Sequence, residues 1–335
     1  MLNEFRQDLV SGEWILFASL RGKRSESKVR QVIYQSPSDC PFENPFGEGQ
    51  EPVWAYPNKE NWKAMVLKNK FPALKNGQCG PEINMGPFKT HAAVGEHDLV
   101  IYKDHEKGFD AFSREDILDA IKVYKKRFKE LSELSECVKY VSIFHNHGLE
   151  AGASIYHPHS QIISMPILPP DVFRSISGSF QYFSKYQRRV YDVILEWEIN
   201  EGKRIICENA KFVAFCPFVS KYPYEVRIFS KEGHAHFAEM PEGVDPYFAD
   251  IVHNVLHRLV VVLGHPAFNF FIHTAPVGNP IDGGMFGVDL HEFYHWHMEI
   301  VPHTTTDAGF EIGTGIAINI GNPDESAELL RNAKI

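Results

Sequence analysis

The sequence predicts an α+β fold made twice: two tandem domains, each an antiparallel sheet with a packed helix. Two observations carry that expectation. The order strand, strand, helix, strand, His-x-His strand occurs once in each half, and 138 residues separate the first histidines of the two pairs, His157 and His295. That interval is far longer than a solenoid repeat of roughly 20–50 residues, so a whole domain has been duplicated. The implied boundaries are 1–170 for the first domain, 171–203 for a connecting segment rich in Phe, Tyr and Arg, and 204–335 for the second.

The elements follow in order. A stretch containing Trp14 and Ile15 leads into a loop-rich region over 23–61, then strand patterns over 64–67 and 99–102. Ser113 opens a helix, because Asp116 three residues on makes a variant capping box and Ile117, Ile121, Tyr124, Phe128 and Leu131 then recur at steps of four and three. Lys125, Lys126, Arg127 and Lys129 fall outside that stripe. A strand over 140–144 and a Gly-rich bend lead to the His-x-His strand over 156–163. In the second half, strand patterns over 212–215 and 224–229 precede a helix that starts at Asp245-Pro246, with proline at its first position. Phe248, Ile251, Val252, Val255, Leu256 and Leu259 continue its apolar face. A strand over 268–273, a loop with Gly278, Gly283, Gly284 and Gly287, and the second His-x-His strand complete the pattern.

Composition removes several function classes. With 335 residues, 44% of them hydrophobic, the chain can bury a sizeable core. No run approaches the roughly 18 apolar residues of a membrane helix. Asn3, Glu4, Arg6 and Asp8 contradict a secretory signal, so a cytoplasmic protein without a membrane partner is expected. A net charge of -9 disfavours nucleic acid as a partner. Five widely spaced cysteines do not look like a disulfide framework. The unusual count is histidine, at 17.

On an extended strand, His157, His159 and Gln161 project to one side, and Pro158, Ser160 and Ile162 to the other. An imidazole has an unperturbed pKa of about 6.5 and is largely neutral near pH 7. It attacks phosphorus when an acceptor holds the other ring nitrogen. Amides around Gly152 to Ser154 and at Gln161 can stabilise the charge that develops on phosphoryl oxygens. That set of groups is suited to phosphoryl or nucleotidyl transfer.

The run Asn146-His147-Gly148-Leu149-Glu150-Ala151-Gly152-Ala153-Ser154, followed by His157-Pro158-His159-Ser160-Gln161, resembles the active-site signature of the galactose-1-phosphate uridylyltransferases, within the histidine-triad superfamily. The resemblance extends over nearly the whole chain and implies two histidine-triad-like domains. It implies that His159 takes a nucleoside monophosphate from a nucleotide sugar and passes it to a sugar phosphate in two-step, ping-pong chemistry, with Gln161 binding the transferred phosphate. Asn146, Gly152 and Ser154 match positions that support the nucleophile and hold phosphate oxygens. Arg21 and Arg24 repeat the family's phosphate-binding Arg-x-x-Arg. Asn69 and Phe71 fall where the family contacts the nucleoside, and Lys70 stands where many members have an acidic residue.

The resemblance also implies a structural zinc at Cys40, Glu43, His105 and His157, with Glu43 in place of the family's second cysteine. Zinc accepts thiolate, carboxylate and imidazole alike. Some members hold a second metal through the equivalents of His273, His295 and His297 with a glutamate of the first half. No such glutamate follows Gln161, and Asp171 is the nearest acid, so a hydrogen-bonded histidine cluster is expected there. Phe310, Ile312 and Gly313 resemble a loop that contacts the hexose across a homodimer interface. The familiar members carry Val-Gly-Tyr-Glu there; Ile312-Gly313-Thr314-Gly315 recurs instead in the branch similar to ADP-glucose phosphorylase. The implied activity is UDP-glucose–hexose-1-phosphate uridylyltransfer in galactose metabolism. Nucleotide-sugar phosphorolysis of the ADP-glucose type and a catalytically silent nucleotide-sugar sensor are the alternatives.

Overall fold

The computed structural model describes residues 3–19, 34–46, 51–277 and 289–335. Arg21, Arg24 and the glycines at 278, 283, 284 and 287 lie outside the described residues. The fold is α+β, as the sequence predicts. A small sheet joins β1 (Glu4–Gln7), β2 (Trp14–Phe17) and β15 (Ile318–Asn319), so the two ends of the chain meet.

The main sheet has ten strands and is antiparallel throughout. The first half supplies β3 (Trp54–Tyr56), β4 (Ala64–Lys68), β7 (His97–Tyr102), β8 (Tyr140–His147) and β9 (His159–Met165). The second half supplies β10 (Ile205–Glu208), β11 (Phe212–Phe215), β12 (Val226–Ser230), β13 (Phe268–His273) and β14 (His297–Pro302). Outward from the centre the order is β8-β9-β7-β4-β3 on one side and β13-β14-β12-β11-β10 on the other. The strand order is therefore repeated about the β8–β13 seam, where Asn146 faces Asn269 and His145 faces Phe270. β8 runs three residues beyond the sequence expectation because that pairing gives the polar His145-Asn146-His147 run a partner strand. A separate hairpin, β5 (Ile83–Met85) with β6 (Phe88–Thr90), projects from the loop before β7.

Both principal helices start where the sequence places them. In α1 (Arg114–Ser132) the Ser113 hydroxyl accepts from the Asp116 amide and the Asp116 carboxylate accepts from the Ser113 amide, completing the capping box. The segment after β9 forms α2 (Pro170–Tyr186) and α3 (Val190–Glu201). α4 (Asp245–Leu263) carries proline in its first turn and ends on Gly264, whose φ of 70° is the left-handed conformation of a C-cap. α1 and α4 pack together on one face of the sheet. Ile121, Tyr124 and Phe128 of α1 and Ile251, Val255 and Leu259 of α4 close there over Val100, Ile143, Ile162, Phe270 and Ile300. Three shorter helices, α5 (Leu290–Phe293), α6 (Gly309–Thr314) and α7 (Pro323–Arg331), follow.

On the opposite face, Met65, Leu67, Leu99 and Ile101 form a smaller apolar cluster with Cys40 and Phe42. One cysteine pair corrects the sequence expectation: Cys79 and Cys137 form a disulfide, with Cα atoms 5.8 Å apart. Their separation of 58 residues hides the return of the 75–94 loop onto the α1–β8 connection. Among the described residues, no helix is long and apolar enough to cross a membrane.

Candidate active site

β9 lies between β8 and β7 in the first half of the sheet, and its alternation sorts chemistry from core. Ser160 and Ile162 face the helices. Ser160 sits in a buried hydroxyl network with Tyr102 and Tyr124, at 2.9 and 2.6 Å, and with His145 Nδ1 at 2.9 Å. His159 and Gln161 take the other face. There Phe42 meets the His159 ring edge-on, with centroids 5.3 Å apart.

His159 is 8% exposed, and its Nδ1 lies 2.9 Å from the His157 carbonyl. A carbonyl only accepts, so Nδ1 carries the hydrogen and Nε2 keeps a bare lone pair. Burial holds the ring's pKa below the ordinary histidine value, against the opposing pull of that hydrogen bond. The nitrogen on offer is therefore neutral, oriented and nucleophilic. Gln161 accepts at Oε1 from His97 Nε2, 2.8 Å away. The Asn69 side-chain oxygen accepts from the Phe71 amide at 2.9 Å, and its nitrogen lies 3.2 Å from His97 Nε2. Phe71 is 89% exposed, an aromatic face presented to solvent.

Asn146 Oδ1 accepts from Asn269 Nδ2 at 2.8 Å; the same nitrogen donates to the Ala151 carbonyl at 2.9 Å, fixing the bend before β9. Gly152 is required in that bend, since its φ of 85° suits only glycine well. Asn146 and Ser154 line a cavity of about 540 Å3 with Gly148, Ala153, His157 and Pro158. Phe310, Ile312 and Gly313 lie on α6, where Phe310 and Ile312 are exposed, and they line neither this cavity nor the larger one of the second half.

Three of the four proposed zinc ligands, Cys40, His105 and His157, come together, and Glu43 approaches the two histidines but stands outside that group. His157 Nε2 donates to the Tyr102 carbonyl at 2.5 Å and His105 Nε2 to the Gln35 carbonyl at 2.8 Å. Each ring thus leaves Nδ1 bare, and these two nitrogens face one another at 3.1 Å. Two lone pairs at that distance repel unless a cation stands between them. Cys40 Sγ is 3.5 Å from His157 Nδ1, and Glu43 Oε2 is 3.4 Å from His105 Nδ1 and 3.9 Å from His157 Nδ1. Donors held at about 2.0–2.3 Å around tetrahedral zinc stand roughly 3.3–3.8 Å apart. Cys40, His105 and His157 fit three corners of such a site, with Glu43 beside the two imidazoles, and the two carbonyls are the outer partners that fix the ligand tautomers.

The second half differs. His295 turns away from His273 and His297, with Nε2 3.1 Å from the Ser230 carbonyl and Nδ1 2.7 Å from that of Trp296. Glu299 takes its place beside His273 and His297. Burial disfavours the Glu299 charge, but Arg227 at 3.3 Å and His273 at 3.6 Å outweigh it and hold the carboxyl well below the usual range. Burial and the Glu299 charge push Glu225 up to about 7. His273, His297 and Glu299 line a cavity of about 1670 Å3 with Arg227, Tyr222 and His303.

Sequence reasoning passes over His97 and Asn269. Each acts on a predicted site residue from a neighbouring strand, a relation visible only once β7 pairs with β9 and β13 with β8.

A family model described as the N-terminal domain of galactose-1-phosphate uridyl transferase matches residues 2–169. A second, described as a domain of unknown function, matches 90–332. ADP-glucose phosphorylase of Arabidopsis thaliana is 30% identical, covering 99% of this chain and 93% of that protein. Galactose-1-phosphate uridylyltransferase of Thermotoga maritima is 26% identical, covering 99% of each. Among solved structures, the Arabidopsis ADP-glucose phosphorylase with bound ADP-glucose superposes with a TM-score of 0.83 at 27% identity, covering all of both chains. A uridylyltransferase superposes with a TM-score of 0.75 at 23% identity over 99% of this chain and 98% of that one, a likeness of fold.

Proposed function

The chain belongs to the galactose-1-phosphate uridyl transferase family of nucleotidyltransferases, and from that premise we propose that it transfers a nucleoside monophosphate through a covalent adduct at His159 Nε2. The observation that carries this reading is the hydrogen bond from Nδ1 to the His157 carbonyl, which leaves Nε2 bare in a neutral ring. Nε2 attacks the α-phosphorus of a nucleoside-diphosphate sugar. The phosphorus–nitrogen bond forms as the bond to the bridging oxygen breaks, and the sugar 1-phosphate departs with that electron pair. A phosphate oxygen of the acceptor then attacks the same phosphorus and returns the imidazole to its starting state. The Nδ1 proton stays on the ring throughout, and its bond to the His157 carbonyl strengthens as positive charge grows there. Gln161 steadies the phosphoryl oxygens, with Asn146, Gly152 and Ser154 shaping the adjoining bend.

Zinc at Cys40, Glu43, His105 and His157 would supply structural bracing, holding the residues that lead into β9 and aim His159. The second-half histidines are read as a hydrogen-bonded cluster. Asn69 and Phe71 are assigned to the nucleoside, Arg21 and Arg24 to its phosphates, and Phe310, Ile312 and Gly313 to the hexose of a partner subunit in a homodimer.

Two donor–acceptor pairs fit this chemistry. Phosphorolysis of ADP-glucose is supported by the Arabidopsis relative and by Ile312-Gly313-Thr314-Gly315, which lacks the acidic acceptor for sugar hydroxyls. Uridylyl transfer from UDP-glucose to a hexose 1-phosphate, in galactose metabolism, is supported by the Thermotoga relative. Incubation with each donor, labelled in the α-phosphate, separates them. Label is expected on the His159 peptide from one donor, released by phosphate in the first case and by galactose 1-phosphate in the second. Binding of both donors without label on any peptide would leave a sensor and overturn the proposal.

A further inference from the structure

His97 opens β7 with its side chain on the same face as Gln161, and its ring touches two parts of the site at once. Its Nδ1 is 3.1 Å from the amide nitrogen of Ala73. A backbone N–H only donates, so Nδ1 is bare and the ring's hydrogen sits on Nε2. That hydrogen points at the Gln161 side-chain oxygen, 2.8 Å away. Asn69 Nδ2 also stands 3.2 Å from Nε2, so the Gln161 oxygen is the acceptor for that hydrogen; the reversed Gln161 amide would leave the N–H facing two NH2 groups, and a single orientation survives. In it the Gln161 oxygen is turned to His97 and the NH2 is turned away. The distinction governs chemistry, because an NH2 stabilises phosphoryl oxygens and an amide oxygen repels them. The same residue grips the segment after β4: the Asn69 amide donates to the His97 carbonyl at 2.9 Å and Ala73 is held by the ring.

We propose that His97 is a positioning residue that fixes the amide of Gln161 as a donor toward the transferred phosphoryl group and couples it to the nucleoside-binding segment 69–73. This rests on the nucleotidyl-transfer reading above. Two conservative variants separate the two grips. His97→Asn keeps an acceptor near the Nδ1 position for Ala73 but has no donor that reaches Gln161. It should lower kcat and the single-turnover labelling rate about tenfold, with the KM for nucleotide sugar within about twofold of wild type. His97→Gln places an NH2 near the Nε2 position and should restore kcat to within about threefold while raising KM about tenfold. A purely structural role instead predicts that both variants lose kcat and KM together, in step with their melting temperatures, and that result overturns the proposal.

Imidazole 15N shifts of the wild-type protein test the premise without any variant. Bare Nδ1 with protonated Nε2 is expected at His97, and the opposite tautomer overturns the inference. If wild type labels His159 normally while His97→Asn labels at the wild-type rate, this inference alone fails. If wild type never labels, the parent reading fails instead.

Discussion

A histidine that attacks phosphorus needs an uncharged ring and one nitrogen held in place; burial supplies the first for His159 and the His157 carbonyl the second. Removing the ring leaves the neighbouring strands paired, so His159→Gly should lower turnover by roughly four orders of magnitude or more while melting within a few degrees of wild type. Steady-state rates with circular dichroism melts check this, and wild-type turnover would sink the covalent step. Gln161→Glu is a sharper probe. Its carboxylate still accepts from His97 Nε2 but turns a second oxygen toward the phosphoryl group in place of NH2. Replacing a donor with a repelling oxygen should lower kcat about 100- to 1000-fold, and an unchanged rate would show that Gln161 does not touch the transferred group. The shared face of His159 and Gln161 was legible because strand alternation and a compact motif mark it. His97 was not, since 64 positions separate it from Gln161 and nothing local marks the pairing of β7 with β9.

At the scale of elements, the loop carrying Cys40, the end of β7 and the approach to β9 meet at two bare imidazole nitrogens 3.1 Å apart. A cation there would turn that repulsion into attraction, held by Cys40, His105 and His157 with Glu43 beside them. Elemental analysis should find one zinc per chain, and His105→Ala or prolonged chelation should lower the melting temperature by roughly 5–10 °C. Zero metal with unchanged melting would remove the brace. The sequence offered all four donors through family resemblance, but it showed neither the facing nitrogens nor the carbonyls of Tyr102 and Gln35 that set them. A second element-level constraint lies just before β7. A Cβ on Gly95 would stand 2.0 Å from the Ser164 carbonyl oxygen and 3.0 Å from its carbon. Backbone cannot yield as a flexible side chain does, so Gly95→Ala should separate β7 from β9. The expected cost is about 1–3 kcal/mol in denaturant melts, with a raised KM because His97 and Gln161 move apart. Wild-type stability and KM together would contradict the close approach.

Across the whole molecule, duplication was readable from the twice-repeated order of elements, whereas the way the halves join was not: β8 and β13 carry no mark that each will take the other as its edge partner. The resulting continuous sheet buries polar groups from both halves, and their protonation sets how stability responds to acid. Burial, reinforced by His147 and His159, holds His145 well below 6.5; burial also lowers His295 to about 4. Unfolded, each titrates near 6.5. The unfolded chain therefore binds more protons below that pH, and stability that is full above 6.5 is lost as pH falls toward the folded values. Glu225 acts in the opposite sense. Its folded pKa of about 7, against 4.5 when free, favours folding at low pH and is lost as pH rises through 7. Glu225 offsets one imidazole over most of the window, while His297, which burial also holds well below 6.5, acts in the same sense as His145 and His295. Unfolding free energy should thus fall progressively as pH is lowered from 6.5 to 4, by up to about 1.4 kcal/mol per pH unit for each uncompensated proton, and the melting temperature with it. Glu225→Gln, which keeps the shape and removes the titration, should steepen that decline between pH 4.5 and 6.5 and leave the slope well above pH 7 unchanged. A melting temperature that rises on acidification over this range, with Glu225→Gln identical to wild type, would mean that these buried groups do not govern the balance.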